Sequence, residues 1–329
     1  METKPTVNEG VDTVCEVTAY HSHAYKHSYF LREGDRIAVI SPSAYPGEEQ
    51  RDAVMKGLEE LGYVPTEGRY TVGTMRTIEN VTEDLKWALE DPEIKAIYCV
   101  RGGTGSSEDL DYMGLAPIYS GKKLIIGFSD IVTFLSAWTI CGYPSIHAAM
   151  ASAFTDLSEE SAAVQKQMMK GEIPSYRCEG SSYDRKGTAE GILIGGNLSV
   201  LLTVVSTDYD PTKLKEPYIL FLEETEEDME HLYRYLTVLK HLGILKKAAG
   251  LLFGEWTDRP AKCLTYSGNS RGGEFKSVAD MISRQFLSDL NVPAAFGFPA
   301  GHSSIHYPLL FGSKAKLCVS EDSYTLEWE

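Results

Sequence analysis

Three short, nearly unbroken apolar runs punctuate the first half of the chain: RIAVI (residues 36–40), KAIYCV (95–100) and KLIIGF (123–128). Each is bounded by breaking residues and leans on β-branched side chains, which predicts strands buried on both faces. Between the first two the period changes. Residues 50–61 repeat at helical spacing and are closed by Gly62, and TIENVTEDLKWALED reads as an amphipathic helix with an acidic first turn. Strands alternating with helices predict an α/β domain, Rossmann-like with a mostly parallel sheet, over residues 31–160. Sheets of this kind place their sites beyond the carboxyl ends of the strands, where Gly102, Gly103 and Ser129 fall.

The pattern loosens over 161–190, where Gly171, Pro174 and Gly180 suit a crossover linker. From 191 to 329 short strands dominate (GTAEGILIGG, PYILFLEE, GLLFGEW, AKLCVS), with one long helix, EEDMEHLYRYLTVLKHLG, among them. That predicts a second, smaller, β-rich α+β domain. Residues 1–30 read as a polar extension covering the body. Its His21, His23 and His27 lack a nearby carboxylate or cysteine partner, so no metal site is expected there.

A chain of 329 residues can bury two cores, and its formal net charge of −16 opposes binding to nucleic acid or an anionic membrane. Six scattered cysteines form no CxxC pair, which favours a reduced, cytoplasmic chain. The first residues lack the basic flank and apolar core of a signal peptide, and no run is long enough to span a bilayer.

The sharpest chemical signal is LIIGFSDIVTFL, an apolar strand running into Gly127-Phe128-Ser129-Asp130 and then a helix. A serine on such a turn exposes its hydroxyl above the sheet, and the next backbone N–H can stabilise an oxyanion. Only half of G-x-S-x-G is present, however, and taken alone the motif reads more simply as a helix N-cap. Gly102 and Gly103 could bring N–H groups close to a substrate or could form a plain turn. RGGTGSS matches neither a dinucleotide fingerprint nor a P-loop. A nucleophilic serine needs a base and an orienting acid. His302, in the loop FGFPAGHSS, is the base candidate, with His306 as rival. Glu223 ends an apolar strand and is the acid candidate, although the acidic residues after it suit a helix's first turn. Trp138 could stack on a base, but a core position suits it better.

Together GDRIAVISPS, VRGGTGS, IIGFSD, GILIGGNLSVL, ILFLEE and AGH occur in an order that resembles the LD-carboxypeptidase family of serine peptidases, which includes the microcin C self-immunity peptidases. The resemblance runs from about residue 33 to 312 and leaves out the first thirty residues. It implies a triad of Ser129, Glu223 and His302, an oxyanion hole from the N–H groups of Gly103 and Asp130, and a cleft lined by Gly102 and Asn197. It also implies a homodimer, no cofactor or metal, and a small peptide or peptidyl-nucleotide substrate. Two activities compete within the family: release of terminal D-Ala from a murein tetrapeptide, and cleavage of peptidyl- or aminoacyl-nucleotides. From another class, a non-catalytic two-domain binding protein would keep the cleft without the chemistry. YPLLFG after His302 is longer than the family's compact pattern, and the extension is atypical.

Overall fold

The computed structural model describes residues 13–22, 29–73, 76–258 and 275–329. Its strands, in chain order, are β1 (Cys15–Ser22), β2 (Arg36–Ile40), β3 (Val64–Glu67), β4 (Ile94–Cys99), β5 (Leu124–Gly127), β6 (Ser145–His147) and β7 (Glu172–Glu179). They continue as β8 (Gly187–Asn197), β9 (Tyr218–Glu227), β10 (Gly250–Asp258), β11 (Ala294–Phe296), β12 (Leu309–Phe311), β13 (Lys314–Val319) and β14 (Ser323–Trp328). They build two sheets, ordered β12-β6-β5-β4-β2-β3 and β1-β7-β14-β13-β8-β9-β10-β11.

The first sheet is the α/β unit expected from the apolar runs. β3, β2, β4, β5 and β6 run parallel, with only β12 antiparallel against β6. Ile37, Ala38, Val39, Ala96, Ile97, Leu124, Ile125 and Ile126 are fully buried, as strands covered on both faces require. The helix Ile78–Glu90 begins where the Thr77 side chain accepts the Asn80 N–H at 3.2 Å, and it buries Val81, Leu85, Ala88 and Leu89. Trp138 is a core residue, and its indole N–H donates to the Lys123 carbonyl at 2.6 Å.

The second sheet differs from expectation in size. With eight strands it is the larger, because it recruits segments from outside the C-terminal third. Residues read as a linker form the helix Glu159–Met169 and then β7, in which Ile173, Pro174, Ser175 and Tyr176 are buried in succession. β1 pairs antiparallel with β7 at the sheet's edge. In return, β12 leaves the C-terminal part and joins the first sheet. β8 to β11 are parallel, so Asn197, Glu223 and Glu255 all lie toward the carboxyl ends of neighbouring strands.

Cys15 and Cys178 face each other in the β1–β7 ladder and form a disulfide. The expectation of a fully reduced chain is thereby corrected for these two residues, which the ladder register brings together. Cys99, Cys141 and Cys318 are free. His21 lies exposed on β1, while His23 and His27 fall outside the described residues. Among the described residues no group of three or more His, Cys, Asp or Glu could hold a metal ion, and no helix is long and apolar enough to cross a membrane.

Candidate active site

Ser129 sits where β5 ends and a short turn of helix (Ser129–Ile131) leads into the buried helix Val132–Ile140. Its φ is +60°, a left-handed value that costs a residue with a Cβ about 1–2 kcal/mol. An N-cap residue is extended and accepts an N–H from the following turn. Ser129 has neither feature, so the plain capping role does not describe it. The strained, half-buried turn is instead the geometry of a nucleophile elbow.

Gly102 lies against this turn. A Cβ placed on it would lie 3.0 Å from Ser129 Cβ and 3.1 Å from Ser129 Oγ, so a side chain at position 102 would crowd the hydroxyl. Gly103 has φ +140°, and a Cβ there would stand 2.5 Å from Ala44 Cβ. Asp130 is buried and its polar atoms are used within the fold: Oδ2 accepts Ser43 Oγ–H at 2.6 Å and Ser106 N–H at 3.1 Å, while its carbonyl accepts Ser106 Oγ–H at 2.6 Å. Arg76 braces the same network through the Ser43 carbonyl and Asp109. These bonds tie the turn at Asp130 to Ser43 and Ser106.

On the other sheet, Glu223 is fully buried within β9, not in the first turn of the helix Met229–His241, which is capped by Asp228. Its Oε2 lies 3.0 Å from His302 Nδ1. His302, one-fifth exposed, stands in the loop after β11. Burial alone would lower its pKa, but the charge and hydrogen bond of Glu223, helped by Glu224 and Glu255, outweigh burial and raise it. The ring of Phe128, the residue before Ser129, packs on the His302 ring at 4.8 Å between centroids. That contact links the end of β5, one residue before Ser129, to the loop that carries His302.

The rival His306 is buried. Its Nδ1 is held 2.7 Å from the Gly301 carbonyl, and desolvation pushes its pKa down to about 4. It stacks on His147, whose pKa burial likewise lowers. Both are neutral packing behind the loop. Asn197 is 3% exposed and its side chain is used locally: Oδ1 accepts from Val200 N–H and Ser199 Oγ–H, and Nδ2 donates to Glu224 at 2.6 Å.

The sequence put Glu224 among the acidic residues of a helix's first turn, whereas it lies within β9, and it gave no role to Glu255. Glu224 accepts from Asn197, Ser199 N–H and Thr225 N–H, and Glu255 holds Ser303. The signal for Glu255 was present, because GLLFGEW ends an apolar strand in a carboxylate just as PYILFLEE does.

A serine on a left-handed strand-to-helix turn, together with a histidine hydrogen-bonded to a buried carboxylate, supplies the three side-chain types that a serine hydrolase uses. Family models for the LD-carboxypeptidase N-terminal and C-terminal domains match residues 37–148 and 190–317. The chain belongs to the LD-carboxypeptidase family and is a serine carboxypeptidase-like hydrolase. It is 28% identical to a murein tetrapeptide carboxypeptidase of Pseudomonas aeruginosa over 300 residues, covering 86% of this chain and 92% of that protein. The crystal structure of a muramoyltetrapeptide carboxypeptidase from Oxalobacter formigenes superimposes with a TM-score of 0.74 at 25% identity, over 88% of this chain and 97% of the other. The microcin C7 self-immunity protein MccF in complex with aspartyl sulfamoyl adenosine shares the fold, with a TM-score of 0.75 at 18% identity over 92% and 98% of the two chains.

Proposed function

We propose that this chain is an LD-carboxypeptidase that releases terminal D-Ala from murein tetrapeptides. In this reading Ser129 is the nucleophile, His302 the base and Glu223 the residue that orients the base. The observation that carries it is the 3.0 Å contact between His302 Nδ1 and Glu223 Oε2, on a ring packed against the residue that precedes Ser129. With Nδ1–H donated to the carboxylate, His302 presents a lone pair on Nε2 for the Ser129 proton. The hydroxyl attacks the amide carbonyl between the third residue and D-Ala. The N–H groups of Gly103 and Asp130 take the developing negative charge, each such donor being worth about 3–4 kcal/mol. His302 then returns its proton to the D-Ala nitrogen as the C–N bond breaks. Water, deprotonated by the same imidazole, hydrolyses the acyl-serine. No step calls for a cofactor or metal.

The murein substrate is favoured by the relatives that match in sequence over most of both chains, because the likeness to MccF is one of fold. Incubation of the purified protein with a murein tetrapeptide, and separately with an aminoacyl-sulfamoyl adenosine, followed by mass spectrometry, tests the choice. Release of D-Ala with the nucleotide analogue intact is expected. Cleavage of the analogue alone would overturn the substrate assignment.

A further inference from the structure

The histidine loop is held by a second carboxylate that the triad does not include. β10 lies beside β9 in parallel register, and its end is joined to the loop by alternating bonds. Phe298 N–H donates to the Phe253 carbonyl at 3.0 Å, and Glu255 N–H donates to the Ala300 carbonyl at 3.1 Å. The Glu255 side chain continues the series: Ser303 Oγ–H donates to Oε1 at 2.6 Å and Ser303 N–H to Oε2 at 3.2 Å. His302 is therefore pinned on both sides, by the Glu255 backbone at residue 300 and by its carboxylate at residue 303. The clamp has a steric requirement as well. A Cβ on Gly301 would lie 2.7 Å from Glu255 Cβ and 2.8 Å from Oε2.

Glu255 is 1% exposed, and among the described residues no Lys or Arg is paired with it. A buried carboxylate facing only neutral donors is a costly way to hold a loop, since an amide could accept a hydrogen bond with less loss of hydration. What the charge adds is a field at His302, where a positive charge must form during reaction. We propose that Glu255 is a positioning residue: it clamps the His302 loop and supplies negative charge that favours the imidazolium. The proposal rests on His302 being the base assigned above.

The titratable groups facing His302 are Glu223 and Glu224 from β9, Glu255 from β10, His147 from β6 and His306 from its own loop. Both of these histidines are held neutral by burial. Removing the Glu255 charge therefore leaves two carboxylates acting on the imidazole, and its pKa should fall but not collapse. Glu255→Gln keeps the volume and one acceptor. It should lower kcat about tenfold to a hundredfold with KM nearly unchanged, because Glu255 acts through the base and does not touch substrate. It should also shift the acid limb of kcat/KM to lower pH. Ser303→Ala keeps the charge but removes the 2.6 Å bond, and should lower kcat without moving that limb.

Both variants are to be measured on D-Ala release beside Ser129→Ala, with melting temperatures recorded. A wild-type rate and pH profile for Glu255→Gln, with Ser129→Ala inactive, would overturn the positioning role and leave the triad standing. A loss that merely follows a lowered melting temperature, with an unmoved acid limb, would overturn it too. Full activity in Ser129→Ala would remove the triad itself and the positioning role with it.

Discussion

Replacing Glu223 by Gln separates orientation from packing, because the exchange keeps the shape of a fully buried side chain. Glu223 Oε2 receives the Nδ1–H of His302 at 3.0 Å, whereas Oε1 has no hydrogen-bond partner among the described residues. A glutamine must place its oxygen at one of these points and its NH2 at the other. Buried N–H groups without partners are rarer than under-satisfied carbonyls, so the amide nitrogen will turn to the imidazole and leave the oxygen on the empty side. Donation to Nδ1 then forces the ring proton onto Nε2, the tautomer that cannot accept the proton of Ser129. In serine-hydrolase triads the corresponding change costs about 10⁴ in kcat, about 5.5 kcal/mol of barrier at 1.36 kcal/mol per factor of ten. Stability should hold at pH values where His302 is neutral and fall at lower pH, where the variant loses the pairing of the imidazolium with Glu223. Loss of the carboxylate also withdraws the strongest influence that raises the His302 pKa, so residual activity should persist to lower pH than in the wild type. The assay is initial-rate D-Ala release across pH, with circular-dichroism melting on the same preparations. A variant that keeps more than about a tenth of wild-type kcat would refute the orienting role.

Three further outcomes follow from the same geometry. His302 must be neutral to accept a proton and its pKa is raised above 6.5, so the acid limb of wild-type kcat/KM should have its midpoint above pH 6.5, with activity lost as pH falls through it. A midpoint well below that value would contradict the ion-pair geometry. Gly102→Ala would put a methyl 3.1 Å from Ser129 Oγ and should lower kcat about a hundredfold, with a melting temperature close to wild type; unchanged turnover would show that this loop does not bound the site. The disulfide closes a loop across 163 residues of sequence, so Cys15→Ser with Cys178→Ser should lower unfolding stability by about 2–4 kcal/mol in a denaturant titration. Since β1 is an edge strand, turnover at 25 °C should survive, and an unchanged unfolding midpoint would count against the cross-link.

What the chain announced and what it concealed divide along local and long-range lines. The buried strands of the first sheet, the helix Ile78–Glu90 and the helix Met229–His241 were legible because period and capping are local. β12 was not. Three apolar residues contain nothing to say that they leave their own part of the chain to pair with β6. The Cys15–Cys178 pairing was hidden for the same reason, because spacing along a chain does not specify which thiols meet. His302 and His306 stand four residues apart in similar surroundings, and only burial told the paired ring from the packed one. Ser129 was ambiguous between cap and elbow until its φ of +60° removed the first. Glu255 could have been read from its strand-end position, but its partner Ser303 lies 48 residues away, so its purpose emerged only with the loop folded over it.

The central claim is that the Ser129 hydroxyl is made nucleophilic by His302. The most direct measurement is a fluorophosphonate adduct on the native protein, located by peptide mass spectrometry and compared with a His302→Ala variant of equal melting temperature. A single adduct on Ser129 in the wild type, formed at a rate at least about a hundredfold slower in the variant, is the predicted result. An adduct on another residue, or equal labelling rates at Ser129 in the two proteins, would contradict it.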